Sequence, residues 1–228
     1  MRVPILIPNI FNHPFTYESG EINVKLGDYV LIPFGKSQTT GVVWNEFEKE
    51  NKKKFVIKKV ISKLNIPPLN KNTINFLNWF SKYNLIPKGI ALKLLLLSNE
   101  AIEDVKLEEF KKFEFKSRIK KFSLTAEQTN ALNNLNSEID KFRVHVLQGT
   151  TGSGKTIVYF ETIKTIIDKG CQGLVMLPEI GLTKQFEEKF MEFFGYVPAI
   201  WHSGITKKNK KIIWNGISTG KIKVVIGA

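Results

Sequence analysis

Apolar and polar positions change their spacing twice along the chain. Between residues 22 and 47 the apolar residues come in short runs, at 24–26, 29–33 and 41–44, separated by Gly20, Gly27-Asp28 and Gly35-Lys36. Runs bounded by glycine turns predict strands, and a further strand is expected within 55–64, after the solvated stretch 46–54. Such spacing suggests a small barrel or curled sheet. Over 70–83 the period lengthens: Ile74, Leu77 and Phe80 recur at helical intervals with Phe76 and Trp79 beside them. A second short helix is expected at 90–97.

The stretch 99–122 is dense in charge, acidic first (Glu103, Asp104, Glu108, Glu109) and then basic (Lys111, Lys112, Lys116, Lys120). It reads as a linker between a domain at 1–98 and another at 123–228. In the second domain strands and helices alternate. Strands are predicted at 144–147, 174–177, 198–201 and 223–226, and helices at 156–167, 182–194 and 208–218. This order implies an α/β lobe with a parallel sheet covered on both faces. Because ligand-binding loops leave the carboxyl ends of parallel strands, a chain ending at Ala228, just after a strand, reads as the amino-terminal part of something longer.

Composition narrows the classes. A hydrophobic share of 43% with 17 phenylalanines supplies packed cores and excludes global disorder. One cysteine, Cys171, excludes a disulfide framework and an internal multi-cysteine zinc site, and fits a reducing compartment. No apolar run approaches a membrane span and no secretory leader is apparent, so a cytoplasmic protein without a membrane partner is expected. The net charge of +13 has two readings, a phosphate-binding surface or plain solubilisation.

The chemistry-bearing motif is Gly149-Thr150-Thr151-Gly152-Ser153-Gly154-Lys155-Thr156, a full match to the phosphate-binding loop pattern. Its glycines let backbone N–H groups approach phosphate oxygens, Lys155 is expected at the β- and γ-phosphates, and the Thr156 hydroxyl at Mg²⁺. ATP and Mg²⁺ are the cofactors this predicts. Upstream, Thr125 and Gln128 form a capping-box pattern, while a glutamine amide also complements an adenine edge; the two roles compete for one amide. The loop 178–183 suits a backbone phosphate, or is an ordinary connector with Thr183 as helix cap. His202, beside Trp201, is a candidate for either structure or contact.

Together these residues resemble the first RecA-like lobe of the primosomal replication-restart helicases. The resemblance rests on 149–159, on the string LVMLPEIGLTKQ at 174–185, on WHSG at 201–204, on Trp214 and on VVIGA at 224–228. In the first half, Pro14-Phe15-Thr16-Tyr17 and the run 30–36 resemble that family's small DNA-binding domain, which recognises the 3′ end of a nascent strand. The resemblance implies a β-rich DNA-binding domain followed by a RecA-like P-loop lobe. It also implies that Gln128 reads adenine and that Phe15, Tyr17, Gly35 and Lys58 form a 3′-end pocket. Glu179, Gly181, Thr183, His202 and Ser203 would touch single-stranded DNA. Forked DNA, primosome proteins and single-stranded DNA-binding protein are the implied partners. The implied activity is an ATP-dependent 3′→5′ helicase in replication restart.

Three departures accompany the resemblance. Thr16 stands where the family usually has aspartate, 99–122 is too short for the usual winged helix, and the acidic motif, the zinc cysteines and the second lobe lie outside these residues. The 228 residues alone are therefore expected to bind nucleotide weakly and not to unwind DNA. A DNA-binding module with a non-hydrolysing P-loop lobe is the alternative, and a small-molecule kinase a third.

Overall fold

The structure, a computed structural model, describes residues 1–47, 56–96, 105–114, 122–178 and 180–227. It divides into two compact units, Met1–Val105 and Lys106–Ala228. Among the described residues no helix is long and apolar enough to cross a membrane.

The first unit is built on a five-stranded antiparallel sheet in the order β2-β1-β4-β3-β5, from β1 (Arg2–Leu6), β2 (Phe15–Glu18), β3 (Tyr29–Phe34), β4 (Ser37–Val43) and β5 (Ser62–Lys63). Alternation along the strands sorts the side chains. Val3, Ile5, Ile7, Tyr17, Val30, Ile32 and Val43 form one buried cluster, while Leu6 and Val42, offset by one residue, are buried outside it. Two helices complete the unit: α1 (Lys71–Tyr83), capped by the Asn70 carboxamide on Thr73 N at 2.8 Å, and α2 (Lys88–Leu95). Trp44 Nε1 donates to Asn78 Oδ1 on α1 at 3.3 Å. Gly89 lets α2 meet the chain after β1, since a Cβ there would collide with the Ile7 and Asn9 carbonyls.

A seam closes this sheet. Glu18 N donates to Lys58 O at 2.9 Å and Val60 N to Glu18 O at 2.8 Å, joining β2 to 58–60; Ile61 N then donates to Leu31 O on β3 at 2.9 Å. The segment 58–64 thus spans from one edge of the sheet to the other, and the barrel-like closure read from the sequence is present. Details differ. Residues 24–26 form no strand, and the run 55–64 contributes only this seam and the two-residue β5. β1 and β2 were not anticipated as strands. Pro4 argues against an interior strand, but its carbonyl still accepts Trp44 N at 2.8 Å.

The second unit carries a three-stranded parallel sheet in the order β6-β8-β7, with β6 (Gly173–Met176), β7 (Ala199–Trp201) and β8 (Val224–Gly227). Its helices are α3 (Ala126–Asn136), α4 (Lys155–Asp168), α5 (Ile180–Phe194) and α6 (Lys207–Ser218). Phe160 and Ile163 of α4 and Phe186, Phe190, Phe193 and Phe194 of α5 bury one sheet face with Val224 and Ile226. Edge-to-face ring pairs such as Phe160–Phe190, at 5.8 Å and 87°, order that core. Within the charged stretch, Leu107–Phe113 forms a 3₁₀ helix whose Phe110 and Phe113 are buried.

Two expectations fail here. Residues 144–147 join no strand among the described residues, and Val144 and Val146 are 80% and 89% exposed. β-branched residues favour a strand only where a neighbour supplies hydrogen bonds and a packed face. The sheet is also covered on one face only among the described residues, Leu174 and Met176 each being 67% exposed.

Candidate nucleotide and DNA sites

The phosphate loop is shaped by its glycines. Gly152 and Gly154 have φ of +86° and +80°, values that side-chain-bearing residues rarely adopt, and Gly154 is the residue from which α4 starts. Lys155 turns back over the loop, its ammonium donating to the Gly149 and Thr150 carbonyls at 2.6 and 2.8 Å. The Thr156 hydroxyl accepts from the Tyr159 hydroxyl at 3.1 Å, which leaves one of its two lone pairs for a cation. A cavity of about 480 Å³ opens on residues 151–157, with Phe122, Lys189 and Glu192 on its wall. The donor set, the left-handed glycines and the helix start fit a Mg²⁺–triphosphate.

Gln128 sits against this loop. Its Oε1 accepts from Thr125 N at 3.0 Å while Gln128 N donates to Thr125 Oγ1 at 3.2 Å, so the capping box is complete. Its Nε2 donates to the Ser153 carbonyl at 3.0 Å. The amide still holds a second hydrogen and a second lone pair, so by count capping does not preclude adenine reading.

The loops assigned to single-stranded DNA are described only in part. Helix α5 starts at Ile180, so Gly181 and Thr183 lie in its first turn and Thr183 is not its cap; Glu179, and the side chains of 180–183, lie outside the described residues. His202 Nδ1 accepts Gly204 N at 3.1 Å, which places the neutral ring's proton on Nε2 and leaves that edge as a donor. Ser203 is exposed beside it.

In the first unit the seam brings the 3′-end candidates together. Gly35, at φ +61°, is the first central residue of the two-residue hairpin pairing Phe34 with Ser37, and such turns need a positive φ there. Lys58 Nζ donates to the Gly35 carbonyl at 3.3 Å. Phe15 stands in a half-buried aromatic group with Phe11 (4.9 Å), His13 (4.9 Å) and Phe34 (5.6 Å). Tyr17 differs: it is 5% exposed, its hydroxyl donates to the Pro33 carbonyl at 3.1 Å, and burial pushes its pKa above the ordinary tyrosine value. Its ring belongs to the buried cluster against which Phe15 and Phe34 pack. Phe11, His13 and Phe34 were not singled out from the sequence, although their aromatic spacing around Phe15 was a usable signal.

Residues 2–96 match a family model described as the 3′DNA-binding domain (3′BD), and residues 121–228 one described as type III restriction enzyme, res subunit. The Replication restart protein PriA of Rickettsia conorii is 36% identical over 230 residues, covering 100% of this chain and 34% of the relative. The chain belongs to the PriA family. The PriA of Bacillus subtilis is 34% identical over 146 residues, covering 63% of this chain and 17% of the relative; that of Haemophilus influenzae is 40% identical over 86 residues, 38% of this chain and 12% of the relative. The chain thus spans about a third of the length of the PriA relatives that match it throughout. It joins an antiparallel, β-rich DNA-binding domain to a helicase-like α/β region.

Proposed function

We propose that this chain is the DNA-sensing and nucleotide-binding part of an ATP-dependent 3′→5′ helicase that engages stalled or branched forks and starts primosome assembly. The observation that carries this reading is the phosphate loop: it opens a helix, bears two left-handed glycines, and is tied by Gln128 to a capped helix, on a chain whose other unit matches a 3′DNA-binding domain. When bound, ATP with Mg²⁺ supplies the hydrolysable anhydride. The loop amides and Lys155 hold its phosphates, Thr156 a cation ligand position, and Gln128 the adenine edge. Phe15 offers an aromatic face for a terminal base, with Gly35 and Lys58 beside it. Primosome proteins and single-stranded DNA-binding protein are proposed partners on the strength of the family alone.

The test is fluorescence anisotropy of the whole chain on one oligonucleotide with a free or a phosphorylated 3′ end. Tighter binding of the free 3′-hydroxyl is expected. Equal affinity overturns end recognition, and an end preference without nucleotide binding leaves the DNA-binding module as the better reading.

A further inference from the structure

Helix α6 carries its charge where a helix tolerates it least. Lys207, Lys208, Lys210 and Lys211 fall in its first five residues, and its first turn has no acidic residue. The amino end of a helix concentrates partial positive charge and repels cations, and lysines three or four apart repel one another. Packing does not require them, because the buried residues of α6 run from Ile212 to Gly216. Two carboxylates lie close. Glu109 of the 3₁₀ helix pairs with Lys208 at 3.0 Å, and Glu187 lines the neighbouring recess. Neither meets Lys207 or Lys210 in an ion pair among the described residues.

That recess, about 280 Å³, has Lys112, Glu187, His202 and Asn209 among its polar lining and an apolar floor that includes Ile200 and Ile212. A cationic ridge beside an apolar-floored, polar-rimmed hollow complements a single strand, which presents phosphates and an unstacked base side by side; a duplex hides its bases. The ridge is also continuous with the His202–Ser203 loop, since Thr206, between them, caps α6 by accepting Asn209 N at 3.2 Å.

We propose that the lysine ridge at the start of α6 and the recess beside it form a phosphate-and-base subsite for single-stranded DNA, with Lys207 and Lys210 contacting successive backbone phosphates. This rests on the reading that the second unit engages a DNA strand, and extends the contact from the 202–204 loop onto α6 and the 3₁₀ helix.

The experiment is a salt titration of the whole chain, by anisotropy, on a 3′-phosphorylated oligothymidine, so that end recognition contributes nothing. Lys207→Gln/Lys210→Gln is compared with Lys71→Gln/Lys82→Gln, which removes the same charge from α1. The first variant is expected to lower the slope of log K against log salt by about 1.4, two phosphates at about 0.7 each, with the control near wild type. Its melting temperature should equal or exceed that of wild type, because the removed charges repelled the helix end. Equal effects of the two variants overturn the proposal and leave the lysines as solubilising charge. An equal loss on a blunt hairpin duplex overturns the single-strand assignment. If wild type does not bind the oligothymidine, the subsite fails with it; end recognition, read on the free-3′ substrate, stands or falls separately.

Discussion

Gln128 donates to the carbonyl of Ser153 at 3.0 Å, so helix α3 is tied to the phosphate loop by one side chain. The same amide accepts Thr125 N, and a Cβ on Gly154 would collide with Nε2. Capping and loop shape therefore meet in the residue proposed to read adenine. Gln128→Glu keeps the acceptor toward Thr125 but removes the donor. The helix is expected to stay capped, while any preference for ATP over GTP falls about tenfold, the worth of one hydrogen bond at about 1.4 kcal/mol. Calorimetry with both nucleotides checks this; an unchanged preference removes adenine reading from Gln128.

Lys155 offers a second test of the same site. Its ammonium now lies on the Gly149 and Thr150 carbonyls, so a triphosphate would exchange those bonds for charge-assisted ones. Lys155→Ala is expected to weaken ATP binding by about 10- to 100-fold, at about 1.5–3 kcal/mol for a charged hydrogen bond. Isothermal titration on the whole chain measures it.

In the first unit, Asp28 is the buried charge to probe. Its carboxylate is 3% exposed and accepts Lys25 N at 2.6 Å and Lys63 Nζ at 2.7 Å. Asp28→Ala strands a turn N–H and is expected to cost about 1–3 kcal/mol. Lys63→Ala should cost less, because the Lys63 side chain is 39% exposed and the Asp28 carboxylate keeps the Lys25 N–H. Denaturant melts of the two variants give the order, and a larger loss from Lys63→Ala would contradict it.

The phosphate loop and the capping box were legible because their patterns are local. Thr125 and Gln128 lie three apart and the phosphate loop is contiguous, so spacing alone gave both. The aromatic group around Phe15 was legible in part. Phe15 and Gly35 stood out, but what brings Lys58 to them is a seam between residues about forty apart in sequence, and no local period encodes such a pairing. Residues 144–147 mislead for the opposite reason: their propensity is local, while a strand requires a partner elsewhere.

Three buried tyrosines make stability depend on alkaline pH. Burial raises the pKa of Tyr17 and Tyr29, and pushes that of Tyr196 up to about 12. Folding holds these hydroxyls protonated, whereas the unfolded chain releases the protons near pH 10. The stability they contribute is therefore intact below about pH 10 and is lost as pH rises toward the folded values. Near-ultraviolet absorbance should show that tyrosine ionisation is completed only as the chain unfolds. A single transition at the ordinary tyrosine pKa, with the fold retained, would contradict the burial.

Thr16 separates affinity from end preference. It lies on β2 between Phe15 and Tyr17, opposite Pro4. In the resembling family aspartate usually stands there, and a carboxylate accepts a 3′-hydroxyl more strongly than threonine does. A carboxylate also repels internal phosphates, and repels a 3′-phosphate more than a 3′-hydroxyl. Thr16→Asp is therefore expected to lower overall affinity slightly yet raise the ratio of free to 3′-phosphorylated binding by about tenfold. Phe15→Ala should instead weaken binding of a free end toward that of a blocked one, by removing the stacking face worth about 1–3 kcal/mol. If both variants shift affinity but leave the ratio unchanged, the aromatic group beside the seam binds DNA without reading its end.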